Sequence, residues 1–308
     1  MITHYFKAKD HEDISVKNEH CIDGWTHVIA PTDDELRALV EEFHLDETIV
    51  ADIKDNFEVP RFEQEGSVSY FFTRYLNNKE SEIDTDTSPI LIILGLTFII
   101  TIANQRVPFI ETCISGKKNI QTTQKTSLFL VLMSAMVANY GRFLNGIRKT
   151  VHRDVAHVRA IRARDIQRLV LFEQELNEIL SALLPTNAWL HQLNRGNYIQ
   201  MFTEDRELLE DLLIASGQLV DSAKTIMKTI QNIRSASEAF LTQKLNSTIR
   251  MLTAFTIILT IPTLIASLFG MNVPVPLQNE PYAFWFIVGF IVAIVLVTIH
   301  FFMKNRWI

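Results

Sequence analysis

Four threonines, Thr253, Thr256, Thr260 and Thr263, recur at intervals of three, four and three residues inside a run without charge. On a helix these positions share one face. A hydroxyl gains nothing from acyl chains, so in a bilayer such a stripe turns toward other helices or toward a water-filled path. Close packing of small residues is one use of the stripe. Lining for a path is the other, and Asn246 before it and Asn272 after it favour that use. Ile249 and Leu252 lie on the same surface, and rings of such side chains would close a path by dewetting. Gly270-Met271-Asn272 ends the run. There a glycine suits the backbone turn, a soft thioether packs better than it ligates a hard cation, and the asparagine offers a neutral carboxamide.

A second group is the acidic series Glu204, Asp205, Glu207, Glu210 and Asp211. Glu204, Glu207 and Asp211 fall on one helical face and could hold a divalent ion between copies of the chain; a solvated helix start explains the same pattern. Asp211 carries the metal reading, with Glu207 and Glu204 beside it.

Both groups belong to one predicted helix from about Thr203 to Phe269. Thr203 is its expected cap, and Leu208, Leu212, Ala215, Leu219, Ala223, Ile226, Ile230, Ile233 and Phe240 form its apolar or small stripe. From Glu204 to Phe269 it would be roughly 100 Å long, about three bilayer cores. Met251 to Phe269 and Ala283 to Met303 are uncharged and each long enough to span. Lys244 and Arg250 precede the first run, and Lys304 and Arg306 follow the second. The intervening loop 270–282 has no Lys or Arg, and Glu280 is its one acid. By the positive-inside rule both termini are cytoplasmic and the loop faces out. Tyr282, Trp285 and Trp307 fit interfacial anchors.

Upstream, residues 1–120 read as a mixed α/β domain. Strands are predicted at Thr26–Ala30, Ser67–Leu76, Pro89–Leu94 and Thr97–Ala103, the last two as a hairpin about Gly95. Asp33–His44 is predicted helical, with Thr32 and Glu35 as a capping box, and Thr48–Ile53 as a second short helix. Polar Asn77–Ser88 reads as an exposed loop. Residues 121–200 read as a helical hairpin. Its apolar start, Thr126–Val137, is too short to span and is expected to pack on the long helix. The expected division is therefore 1–120, 121–200, a stalk at 201–250, spans at 251–269 and 283–303 about the loop 270–282, and a tail at 304–308.

The chain has 308 residues and a formal net charge of −6, without an arginine-rich stripe, which argues against nucleic acid as a partner. Two cysteines, Cys21 and Cys113, make neither a disulfide framework nor a metal motif. No signal-like leader is visible at Met1–Asp10. No nucleophile–base pair emerges, so an enzyme is not expected.

Gly270-Met271-Asn272 at the end of one of two C-terminal spans resembles the CorA-type divalent cation transporters. Ile261-Pro262-Thr263-Leu264-Ile265-Ala266, Asn246, the Trp25…Pro31-Thr32-Asp33-Asp34-Glu35-Leu36 text and Pro60-Arg61-Phe62-Glu63 fit as well. The family usually has tyrosine where this chain has Phe269, and many relatives have an acidic Met-Pro-Glu loop where this chain has Val273-Pro274-Val275 and keeps Glu280. The resemblance implies an α+β membrane protein: a funnel-shaped homopentamer with a cytoplasmic α/β domain, a helical stalk and the first of two spans innermost. It also implies residence in the cell (inner or plasma) membrane and passive, potential-driven Mg2+ transport. Gly270, Met271 and Asn272 would be the filter, and Mg2+ bound near Asp211 would gate the path. Such partners are the chain itself, the lipid bilayer and divalent cations. Transport of Zn2+, Co2+ or Ni2+, with or without proton coupling, is the nearest alternative, and a non-conducting membrane-tethered scaffold is another. Mg2+ demands octahedral oxygen coordination and keeps several of its waters, so a ring of carboxamides can hold the hydrated ion without stripping it.

Overall fold

The structure, a computed structural model, describes residues 1–8, 14–78, 85–117, 120–155, 163–196, 198–276, 280–305 and 307. Arg306, expected to flank the second span, lies outside them. The chain divides into two compact units, Met1–Ile233 and Arg234–Ile308.

The first unit is built on seven strands: β1 (Ile2–Phe6), β2 (Ser15–Lys17), β3 (Gly24–Ile29), β4 (Arg61–Glu65), β5 (Val68–Asn78), β6 (Thr85–Leu94) and β7 (Phe98–Ala103). Their order is β2-β1-β3-β7-β6-β5-β4, with β3 and β7 parallel and the other pairs antiparallel. The central strands read as near-continuous apolar runs because both faces of the sheet are covered. Along β5 the side chains alternate: Tyr70 and Phe72 join one core, Phe71 and Tyr75 the other.

The first core lies under α1 (Asp33–Phe43) and α2 (Glu47–Ala51), and gathers Leu36, Leu39, Phe43, Val50 and Ile53. The capping box forms as the sequence predicts, Thr32 Oγ1 accepting from the Glu35 amide and Glu35 from the Thr32 amide. The second core lies under α4 (Lys125–Val155) and α5 (Ala163–Arg195), which follow the short α3 (Pro108–Thr112), and includes the start of α6 (Thr203–Phe269). The hairpin about Gly95 also forms. A Cβ there would sit 2.4 Å from the Phe98 ring, so any larger residue has to push aside a ring that packs in the first core.

Three expectations need correction. Asn77–Ser88 is not a loop at its described ends: β5 runs through Asn78, β6 starts at Thr85, and Asn77 pairs with Asp86. Polarity there satisfies a buried cation. Arg74 donates to Thr87 Oγ1 (2.8 Å), to the Thr87 carbonyl (2.6 Å) and to the carbonyls of Asn56 and Glu58 (2.8 and 3.1 Å). Thr87 in turn donates to Glu178 of α5 at 2.5 Å, so one network ties strand, loop and helix together. Second, Thr126–Val137 packs mainly on the sheet. The Phe129 ring lies tilted against Phe71, centroids 4.4 Å apart, and Tyr140 donates to the Arg74 carbonyl at 2.8 Å. Contact with α6 is made further along, where Gly141 faces Leu219. Third, Thr203 is the first helical residue and not the cap. That place falls to Phe202, whose amide donates to Asp205.

The second unit holds the remainder of α6 and α7 (Ala283–Lys304). Among the described residues three helices, α4, α6 and α7, are long and apolar enough to cross a membrane. Over half of the apolar window of α4 is buried inside the structure, against 6% for those of α6 and α7. The apolar surface of α4 is consumed by the sheet, whereas that of the other two is left for another environment.

Candidate functional site: the exposed threonine face and its asparagine end

The stripe is where the spacing places it. Thr253, Thr256, Thr260 and Thr263 are all exposed, on a stretch of α6 unbroken through Pro262. Each hydroxyl donates to the carbonyl four residues back: Ile249, Leu252, Thr256 and Leu259, at 2.9, 2.9, 2.7 and 2.7 Å. A hydroxyl has one hydrogen and two lone pairs. With the hydrogen spent on the helix, the oxygen presents only lone pairs outward. The face is therefore an acceptor surface, suited to water whose hydrogens point away from a cation and unsuited to an anion.

Asn246, Ile249 and Leu252 are also exposed, so the expected constriction residues lie on open helix surface in a single chain. Ser267 belongs to the same face, four residues beyond Thr263, and is exposed. Residue type alone passes over it, but the alternation of three and four residues, continued by one more step of four, marks it.

The helix closes at Phe269, the Gly270 amide donating to the carbonyls of Ala266 (2.9 Å) and Ser267 (3.2 Å). The chain turns out of the helix at Gly270 without entering the left-handed backbone region. A Cβ there would come within 3.3 Å of the Ala266 oxygen, so the glycine allows the chain to pass close over the last turn. Met271 and Asn272 are exposed, and the Asn272 carboxamide has no hydrogen-bond partner among the described residues. Glu280 is exposed just before α7.

The acidic series is split by its own helix. Glu204, Glu207 and Asp211 point away from the core and are exposed; Asp205 is buried and accepts from the Phe202 amide at 3.0 Å. Among the described residues no three His, Cys, Asp or Glu side chains come together to hold a metal ion.

Residues 24–304 match the family described as CorA-like Mg2+ transporter protein. A curated relative, the cobalt/magnesium transport protein CorA of Methanocaldococcus jannaschii, is 24% identical over 307 residues, covering 96% of this chain and 94% of that one. The complete structure of the CorA magnesium transporter from the same organism superposes with a TM-score of 0.87 at 21% identity, over 100% of this chain and 99% of that one. The full-length CmaX protein follows with a TM-score of 0.75 at 16% identity, over 99% and 97%. The α/β domain and the long helix thus have counterparts of the same fold. By the family match over nearly its whole length, this chain belongs to the CorA-like Mg2+ transporter family, whose members reside in membranes.

Proposed function

We propose that this chain is a subunit of a passive Mg2+ channel, also open to Co2+, in which several copies of α6 surround a wet path. The observation that carries this reading is the exposed line of four threonines whose hydroxyl hydrogens are all turned back onto the helix, ending at an exposed, unpartnered carboxamide. The last part of α6 and all of α7 are the two spans, and α4 is not one. Two spans enclose nothing alone, so the subunits close as a ring, a homopentamer with α6 innermost and both termini on the cytoplasmic side. Mg2+ enters with most of its hydration shell, because it dehydrates reluctantly. Asn272 side chains from each copy accept from those waters at the mouth. Gly270 and Met271 shape that mouth, and Glu280 supplies the nearby negative charge.

Below the mouth, Thr263, Thr260, Thr256 and Thr253 continue the acceptor surface, and Ser267 extends it upward. Leu252 and Ile249 form the constriction, with Asn246 beneath. The membrane potential drives entry at about 2.3 kcal/mol per charge per 100 mV, doubled for a divalent ion. The zinc alternative has less support, since His, Cys, Asp and Glu are absent between Asn246 and Asn272.

Regulation is assigned to Asp211, with Glu207 and Glu204, which bind Mg2+ across the junction with a neighbouring copy and hold the ring closed when internal Mg2+ is high. The test is Mg2+ influx into vesicles carrying the purified chain, followed by an enclosed indicator as internal Mg2+ is stepped upward. Influx is expected to shut off in the millimolar range. Asp211→Ala should raise the internal Mg2+ needed for half-closure by about tenfold, the equivalent of about 1.4 kcal/mol of ion binding. An unshifted closure curve places the sensor elsewhere, and no influx at any Mg2+ concentration removes the channel reading.

A further inference from the structure

Phe57 is the most exposed large apolar side chain among the described residues, 85% open to solvent, and Val59 beside it is exposed as well. Their segment, residues 55–60 ahead of β4, is held firmly. The buried Arg74 guanidinium grips the carbonyls on either side of Phe57, those of Asn56 and Glu58, at 2.8 and 3.1 Å. Asn104 donates to the Asn56 side chain at 3.2 Å, and the Phe57 amide donates to Asp55 Oδ1 at 2.8 Å. The Glu58 carboxylate turns back onto Arg61, which also holds Asp52 at 2.6 Å. Phe57 and Val59 therefore project from a braced backbone, one on each side of Glu58. A loop fixed in this way has already lost the freedom that docking would otherwise cost, and a rigid aromatic is the usual anchor of an interface.

A matching surface lies on α6. Ile214, 59% exposed, is the one large apolar side chain that α6 leaves open within the first unit, off the stripe that packs on the second core. Three residues further on the same face stands Gly217, where a Cβ would meet nothing within 4 Å among the described residues. Glycine weakens a helix interior, and no crowding within the chain calls for it here. What it leaves is a hollow beside Ile214. Ile214 stands five residues, roughly 7.5 Å, before Leu219 along the helix. Leu219 faces Gly141, and the adjoining Tyr140 donates to the carbonyl of Arg74, whose guanidinium braces the Phe57 loop. Phe57 and Ile214 thus lie at similar levels along α6, on different elements.

We propose that Phe57 and Val59 seat on Ile214 and in the Gly217 hollow of the next copy of the chain. The inference rests on the ring reading above and names the contact that joins its members. Rotation about an axis along α6 keeps every residue at its own level, so Phe57 of one copy can meet Ile214 of its neighbour. Two different patches are used, which is the head-to-tail arrangement that closes rings. Ile214 follows Asp211 by three residues on the same exposed face, so the contact is continuous with the junction assigned to Mg2+. Asp55 and Asp211 are both exposed and bring like charge to the two sides. Burial of the Phe57 ring supplies the cohesion there, and Mg2+ at Asp211 relieves the repulsion.

The test is cross-linking of the full chain in membranes, with Cys21 and Cys113 replaced. Two differently tagged copies are produced together, one carrying Val59→Cys and the other Gln218→Cys, an exposed position beside Gly217. Phe57, Ile214 and Gly217 stay in place, and a short bismaleimide is added. A cross-linked pair carrying both tags is expected, and none when both copies carry Val59→Cys. Adding Phe57→Ser to the first copy, or Gly217→Leu to the second, which fills the hollow with a better helix former, should cut the yield by about tenfold or more. The mass of the unaltered assembly is measured beside it by light scattering. A ring that gives no mixed pair, or an unchanged yield in both variants, overturns this contact and leaves the ring. Pairing of Val59→Cys with itself overturns it in favour of a two-fold face. A single-chain mass removes the ring reading, and the contact with it.

Discussion

Asn272→Ala is expected to reduce Mg2+ influx on the order of a hundredfold while the protein still reaches the membrane. Each carboxamide contributes one hydrogen bond to the ion's water shell, worth about 0.5–1.5 kcal/mol. One substitution removes that contact from every copy of the ring at once, so the losses accumulate at a single point on the path. The helix end itself does not depend on Asn272, because it is closed by the Gly270 amide. Met271→Leu, a change of similar volume, should leave influx within about twofold, since the thioether is not asked to ligate. Influx is read with a Mg2+ indicator in cells lacking their other Mg2+ systems, beside membrane protein quantity. Ordinary influx in Asn272→Ala removes the filter role.

Acid is expected to loosen the first unit, through His27. This imidazole is buried in the sheet beside Trp25, with Nδ1 2.8 Å from Thr101 Oγ1. Burial pushes its pKa down from 6.5 to about 4, with the contact to Thr101 working against that shift. Between pH 6.5 and 4 the unfolded chain holds a proton that the folded chain refuses, so stability falls as pH falls through that window. From pH 7 to pH 5 the loss from this one group is about 2 kcal/mol. Denaturant unfolding, followed by the emission of Trp25 and its neighbours, should show the drop. His27→Leu should flatten the part of the profile lying between those pH values. An identical slope in that variant assigns the acid sensitivity to other groups.

Sequence is legible where a local rule has one physical solution. Thr32 and Glu35 spell a reciprocal cap, and the apolar runs about Gly95 leave only a tight hairpin. The threonine interval leaves only one helical face. Sequence misleads where polarity has two causes. Asp86, Thr87 and Ser88 look like a loop because nothing local announces that Arg74, a dozen residues earlier, lies buried and takes both oxygens of Thr87, with Glu178 beside them. The edge strands β2 and β4, and β1 beside β2, escape a pattern search, because their half-exposed residues lack an apolar run and are recruited by pairing. Thr126–Val137 reads as an apolar run too short to span, but which surface it covers is a tertiary matter, decided by Phe71 and Thr73 on a strand far away in sequence. Ser267 is found by interval and missed by residue type.

The central claim is that the threonine face of α6 looks onto water. Cysteines placed singly at Thr256, Thr260 and Ser267, in a chain with Cys21 and Cys113 replaced, test it by their reaction with a small charged thiol reagent added to vesicles from the aqueous side. If the claim holds, these cysteines react and influx is blocked, Mg2+ protects them, and a cysteine at Ile258 on the opposite face stays unreactive. Inert cysteines along the stripe, or labelling at Ile258 in their place, would contradict it.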